Sequence, residues 1–95
     1  MGKKSTPTIE EQIAQKSQEL AQAQVTQTNA YSEYMKAMKA KTVVSEDETE
    51  KIAKLDELMF EHFTTYQHAL EDSHKLQFEL SQLESQKYLE DLLTE

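Results

Sequence analysis

The stretch 39-KAKTVVSEDETEK-51 decides how this chain folds. Lysines run up to Lys41, and Thr42, Val43 and Val44 follow. These three β-branched residues are poorer helix formers than the Lys and Ala before them. Ser45-Glu46-Asp47-Glu48 then has the form of a capping box, with Ser45 as N-cap and Glu48 three positions later. A chain that ends one helix and caps the next within about four residues makes an αα-hairpin. The alternative is one continuous helix, because neither Gly nor Pro interrupts the stretch. The cap signal favours the hairpin. It predicts a helix over 8–41, a joint at 42–45 and a second helix over 46–93, in an all-α, coiled-coil-like antiparallel arrangement.

Both flanks support helices. Residues 1–7, MGKKSTP, read as a short polar, flexible tail. Thr8 and Glu11 form a second capping box, and acids in the first turn suit the helix dipole. From there Ile9, Ile13, Leu20, Ala23, Ala30, Tyr34, Ala37 and Met38 form a thin stripe at helical spacing, interrupted at Lys16 and Gln27. The second helix has a richer stripe, from Ile52, Leu55, Leu58 and Met59 through Phe63, Tyr66 and Leu70 to Leu76, Leu80 and Leu83. Its steps of three and four are those of a coiled-coil seam. His62, Ser73 and Lys87 fall at or near seam positions and weaken it.

Composition excludes more than it identifies. The 95 residues include one Gly and one Pro, both within the first seven positions, so a sandwich or a doubly wound α/β domain is ruled out. With no Cys there is no disulfide framework or thiolate site. No run of 18 apolar residues is present, so no membrane span is expected, and no leader pattern is visible. The expected location is cytoplasmic. The net charge is −8 and hydrophobic content is 37%. Residues 1–41 carry six Lys against four Glu, whereas residues 42–95 carry four Lys against fourteen acids. All ten basic residues are Lys. Without the guanidinium fork, and with so acidic a second half, direct nucleic-acid binding is not expected.

The two predicted helices differ in reach, at ~51 Å and ~72 Å. Folded back about residue 44, Tyr34 lies near Leu55, Leu20 near Leu70, Ile13 near Leu76 and Ile9 near Leu80. Leu83, Tyr88, Leu89, Leu92 and Leu93 are then left without a partner in the same chain. Burying one Leu stabilises by roughly 1.5–3 kcal/mol, so a helix end carrying four of them calls for cover. A two-helix core is also small. The expectation is therefore association, either with a second copy in a four-helix assembly or with a partner protein, through Leu83, Tyr88, Leu89, Leu92 and Leu93. Phe60 and Phe78 fall off the main stripe and want cover too.

Chemistry-bearing motifs are sparse. Glu71-x-x-His74 has the spacing used in di-iron bundles, but both residues point away from the seam. His62, His68 and His74 are six apart and each turns about 120° from the last, so they cannot converge on one metal. Mirror pairing puts His62 near Gln27, where the two would form a register-setting polar layer. No phosphate loop, HExxH or G-x-S-x-G is present, so no catalytic residue, metal or cofactor is expected and the chain reads as non-enzymatic. MGKKST formally fits a myristoylation pattern, which is short enough to occur by chance, and a simple flexible start is the preferred reading. The acids of the second helix read as a solvated face, with an alternative. A rod of spaced carboxylates can imitate a nucleic-acid backbone and inhibit a basic nucleic-acid-binding protein, as phage- and plasmid-type mimics do.

In outline the chain resembles the WXG-type substrates of type VII secretion systems, which are helical hairpins of about this length. It departs from them at the joint, which reads TVVSED where they carry Trp-x-Gly. It departs again at the Tyr-x-x-x-acid signal, because Leu92 and Leu70 stand four residues after Tyr88 and Tyr66. Residues 31–37 (YSEYMKA) and 88–93 (YLEDLL) are also similar to bacterial helical regulators of competence and RNA maturation. No residue role is carried over from either.

Overall fold

A computed structural model describes residues 6–94, and residues 1–5 of the expected tail lie outside the described residues. Two helices form an antiparallel hairpin: α1 over Ile9–Lys41 and α2 over Thr49–Leu93. No strand occurs among the described residues. The radius of gyration is 21.0 Å and the longest dimension 71 Å. A compact domain of this length would have a radius of gyration of about 12 Å, so the protein is a rod rather than a globule.

The first helix begins as its sequence predicts. Glu11 N–H donates to Thr8 Oγ1 at 3.1 Å, and Thr8 N–H donates to Glu11 Oε1 at 2.8 Å. The second capping box is only half formed. Ser45 N–H donates to Glu48 Oε1 at 3.1 Å, while Glu48 N–H turns to the Ser45 carbonyl at 3.0 Å and not to its hydroxyl. Residues 45–48 therefore close a turn instead of opening a helix, and α2 starts at Thr49 with Glu48 as its N-cap. Lys51 Nζ holds the Glu48 carboxylate at 2.6 Å, and this contact, with the Ser45 N–H, lowers the Glu48 pKa. At the other end of the joint Thr42 Oγ1 caps the Lys39 carbonyl at 2.6 Å. Val44 folds back beside Leu55 and Leu58. The joint thus spans residues 42–48 rather than 42–45, and no described residue in it needs a positive φ.

A joint three residues longer, folded back along the first two turns of α2, moves the register. Tyr34 meets Phe63, eight residues beyond Leu55, at a ring separation of 5.4 Å. Tyr31 meets Tyr66, Lys16 meets Glu79 and Lys41 meets Asp56. The mirror pairs expected from a joint at 42–45 are therefore replaced by pairs about two helical turns further along α2.

The seam itself follows an unbroken four-three spacing. In α1 it runs Ile9, Ile13, Lys16, Leu20, Ala23, Gln27, Ala30, Tyr34, Ala37 and Lys41, and every one of these is buried or half-buried. In α2 it runs Ile52, Leu55, Met59, His62, Tyr66, Ala69, Ser73, Leu76, Leu80, Leu83 and Lys87, again all buried or half-buried. A strict seven-residue repeat on both strands is the signature of an antiparallel coiled coil. The residues buried most deeply are all small: Ala30, Ala37, Ala69 and Ser73. The helices meet most closely where side chains are shortest, and no large side chain is fully buried. The long stems of Lys16, Lys41 and Lys87 let seam positions carry charge, because each ammonium reaches out to a carboxylate at the edge.

Candidate interaction surface

The register decides which residues are left uncovered. Leu83 is half-buried in the seam, so it belongs to the hairpin's own core rather than to an exposed end. Tyr88, Leu89, Leu92 and Leu93 are 51–74% exposed. They do not continue the seam, whose next positions after Lys87 are Glu90 and Thr94. At 100° per residue Leu89, Leu92 and Leu93 turn away from α1, whereas Tyr88 stands at the edge of a shallow recess that it lines with Glu10 and Ile13 of α1 and with Glu84, Lys87 and Asp91. The apolar end of α2 is thus a separate outward surface about one and a half turns long.

The polar layer differs from its expected form. Ser73, 3% exposed, donates from Oγ to Gln27 Oε1 at 3.4 Å. Gln27 is therefore paired with Ser73 and not with His62, because the shift of register carries His62 two turns towards the joint. His62 remains half-buried in the seam, within electrostatic reach of Glu33.

Two broad faces run along the hairpin, one on each side of the seam, and they differ sharply in charge. On one side lies a groove of about 610 Å³. Its walls include Lys16, Glu19 and Lys75 with Asp72, His68 and Glu79, over a floor of Ala23 and Ala69. Lys16 Nζ bonds Glu79 Oε1 at 2.8 Å, which raises the Lys16 pKa and lowers that of Glu79. Glu33 and Lys36 continue this charged side towards the joint, paired at 2.9 Å.

The other side carries no formal charge over most of its length. From α1 it presents Ala14, Ser17, Ala21 and Gln24, then Thr28, Tyr31, Met35 and Met38. From α2 it presents Phe60, Phe63 and Gln67, then Leu70, His74, Gln77 and Ser81. Gln24, Gln27 and Thr28 line one shallow recess together with Leu70, Ser73 and Gln77, which places both helices' residues on this common side. Towards the joint, Tyr31, Tyr34, Phe63 and Tyr66 form a chain of rings 5.4–6.3 Å apart. Phe60, at 73% exposure, extends that aromatic patch into solvent. Ion pairs frame the panel at both ends. Lys41–Asp56 at 2.6 Å stands at the joint, and Lys87 stands at the open end between Asp91 at 2.9 Å and Glu10 at 3.8 Å. Asp91 is the main cause of the raised Lys87 pKa.

Sequence reasoning missed this panel because it followed only the seam. The signal was present in the positions flanking the seam on one side, which avoid Asp, Glu and Lys from residue 14 to 38 and again from 60 to 81. Reading it requires the register, and the register depends on the length of the joint and on its path back along α2.

Among the described residues there is no group of three or more His, Asp or Glu close enough to hold a metal. Glu71 and His74 are both exposed, and the contact of Glu71 is with His68 Nδ1 at 3.8 Å. No described helix is long and apolar enough to cross a membrane. The chain matches no protein-family model, no curated protein and no solved structure.

Proposed function

We propose that the protein is a non-enzymatic interaction hairpin, a stiff helical rod that presents apolar surface to another protein molecule. The observation that carries this reading is the exposed end of α2, where Leu89, Leu92 and Leu93 project away from α1 and Tyr88 stands beside them at the rim of a recess shared with Glu10 and Ile13, on a chain of net charge −8. An aromatic ring among leucines, at the end of a rod and outside the rod's own core, suits insertion into an apolar groove of a partner, with Tyr88 as the anchor. Leu83, which supports the end from beneath, contributes by holding α2 against α1.

The test is a double substitution, Leu89→Asp with Leu92→Asp. Helicity and thermal unfolding of the hairpin stay close to wild type, since neither residue touches the seam. Capture of a partner by the immobilised protein falls at least tenfold. Equal capture by both proteins refutes the reading. Binding that weakens steeply with added salt would instead favour an acidic inhibitor working through the carboxylates.

A further inference from the structure

We infer that a second copy of this chain packs on the uncharged panel, joints at opposite ends, to complete a four-helix bundle. The inference concerns a different surface from the α2 end and stands on other residues.

Charge selects the occupant. Two molecules of net charge −8 repel one another, and a close contact is tolerable only where neither presents carboxylates. The panel is the one broad side of the described hairpin that meets this condition, from Ala14 to Met38 on α1 and from Phe60 to Ser81 on α2. Its opposite side carries Glu19, Glu33, Asp72 and Glu79 against Lys16, Lys36 and Lys75, a net negative charge that a second copy would meet with its own. Size agrees. Twenty-four residue steps of α1 span about 36 Å and two helices are about 20 Å wide, which gives roughly 700 Å² per copy. A stable protein interface buries about 800 Å² on each partner.

Shape selects the orientation. The half of the panel near the joint is bulky, with Tyr31, Phe60 and Phe63 standing out of it. The half near the open end is low, with Ala14, Ser17, Ala21 and Ser81. With the joints at the same end, rings would meet rings and leave a gap over the small residues. With the joints at opposite ends, each aromatic half lies over the small-residue half of its mate, α1 lies over α1, and Met38 comes level with Ala14 of the second copy. Leu70 then falls near the two-fold axis.

The experiment compares sedimentation masses. Wild type is expected at twice 11.0 kDa. Gln24→Glu with Gln67→Glu places four new carboxylates near the centre of the interface and weakens the dimer at least 100-fold. Gln22→Glu with Gln82→Glu adds the same charge off the panel and leaves the dimer intact. So does Leu89→Asp with Leu92→Asp, which separates this contact from the one at the α2 end. The chain has no Cys, so single Cys variants report orientation cleanly. Ala14→Cys and Met38→Cys proteins, mixed and treated with a short bismaleimide, cross-link to each other. A monomeric wild type, or a dimer indifferent to charge on the panel, overturns the proposal. A dimer lost only with the α2-end variant overturns it and leaves the interaction reading standing. Met38→Cys cross-linking efficiently to itself overturns the opposite-end arrangement.

Discussion

Ala30→Leu tests how the two helices meet. Ala30 is 6% exposed and occupies a seam position that in most coiled coils holds a leucine. If the helices had room to accommodate it, three added carbons would gain about 2 kcal/mol of burial at ~0.8 kcal/mol each. The structure indicates the opposite sign. Ala30 is already buried between the helices, and its neighbour Tyr31 packs on Tyr66 at 5.4 Å. The extra carbons must push α1 away from α2. Overpacking of this kind costs about 1–3 kcal/mol, and separation also loosens the Tyr31–Tyr66 and Tyr34–Phe63 contacts, worth ~0.5–1.5 kcal/mol each. A net loss near 2 kcal/mol corresponds to a fall of roughly 8–16 °C in the midpoint of a chain this size. The assay is thermal unfolding followed by circular dichroism, with all proteins at one concentration so that any association contributes equally. Ala40→Leu, at an exposed position near the joint, is the control and changes stability by about 0.5 kcal/mol or less. An unchanged or higher midpoint for Ala30→Leu would refute the close approach of the helices through small residues.

Three further outcomes are expected besides those of the α2-end and panel variants. Glu79→Gln removes the negative charge that pairs with Lys16 and lowers the midpoint at pH 7. Because the Glu79 pKa is depressed in the folded protein, its stabilisation is present above the ordinary Glu pKa of about 4.3 and is lost as pH falls through the depressed value. The difference between wild type and variant therefore vanishes by about pH 2, and a difference that persisted there would contradict the pairing. Thr8→Ala deletes the cap of α1 at a cost of about 0.5–2 kcal/mol, read as faster amide exchange at Glu10–Gln12. Unchanged exchange would show that the cap is idle. Ser45→Ala should leave the midpoint within about 0.5 kcal/mol, because the hydroxyl caps no helix; a loss typical of a true N-cap, about 1 kcal/mol, would restore Ser45 to that role.

Much of the fold could be read from residue spacing. The seam of α1, the Thr8–Glu11 cap and the richer stripe of α2 all follow from periods that local physics imposes. What could not be read was the meaning of Ser45-Glu46-Asp47-Glu48. The same four residues serve as a helix cap or as a turn, and the choice rests on whether the Ser45 hydroxyl or its carbonyl takes the Glu48 N–H. That one bond moves the start of α2 by three residues. The joint also folds back over the first two turns of α2, where Val44 reaches Leu55 and Leu58, and the two effects together pair Gln27 with Ser73 instead of His62 and draw Leu83 under the cover of α1. The α2 end was visible as an excess of leucine, but its boundary at Tyr88 was not. The uncharged panel needs both helices in register before its residues fall on one side.

The joint also gives the molecule a preferred order of assembly. Lys41 and Asp56 are fifteen residues apart, whereas Lys16 and Glu79 are separated by sixty-three. Closing the wider loop first costs about 1 kcal/mol more in chain entropy, and once the narrow one is shut each further pair needs only a few more residues to be fixed. The hairpin therefore zips from the joint outward, Tyr34 onto Phe63 before Gln27 onto Ser73, and frays in reverse from the end where Glu10 reaches Lys87. A rod built this way is firmest beside its turn and softest at its open mouth, next to the leucines at the end of α2.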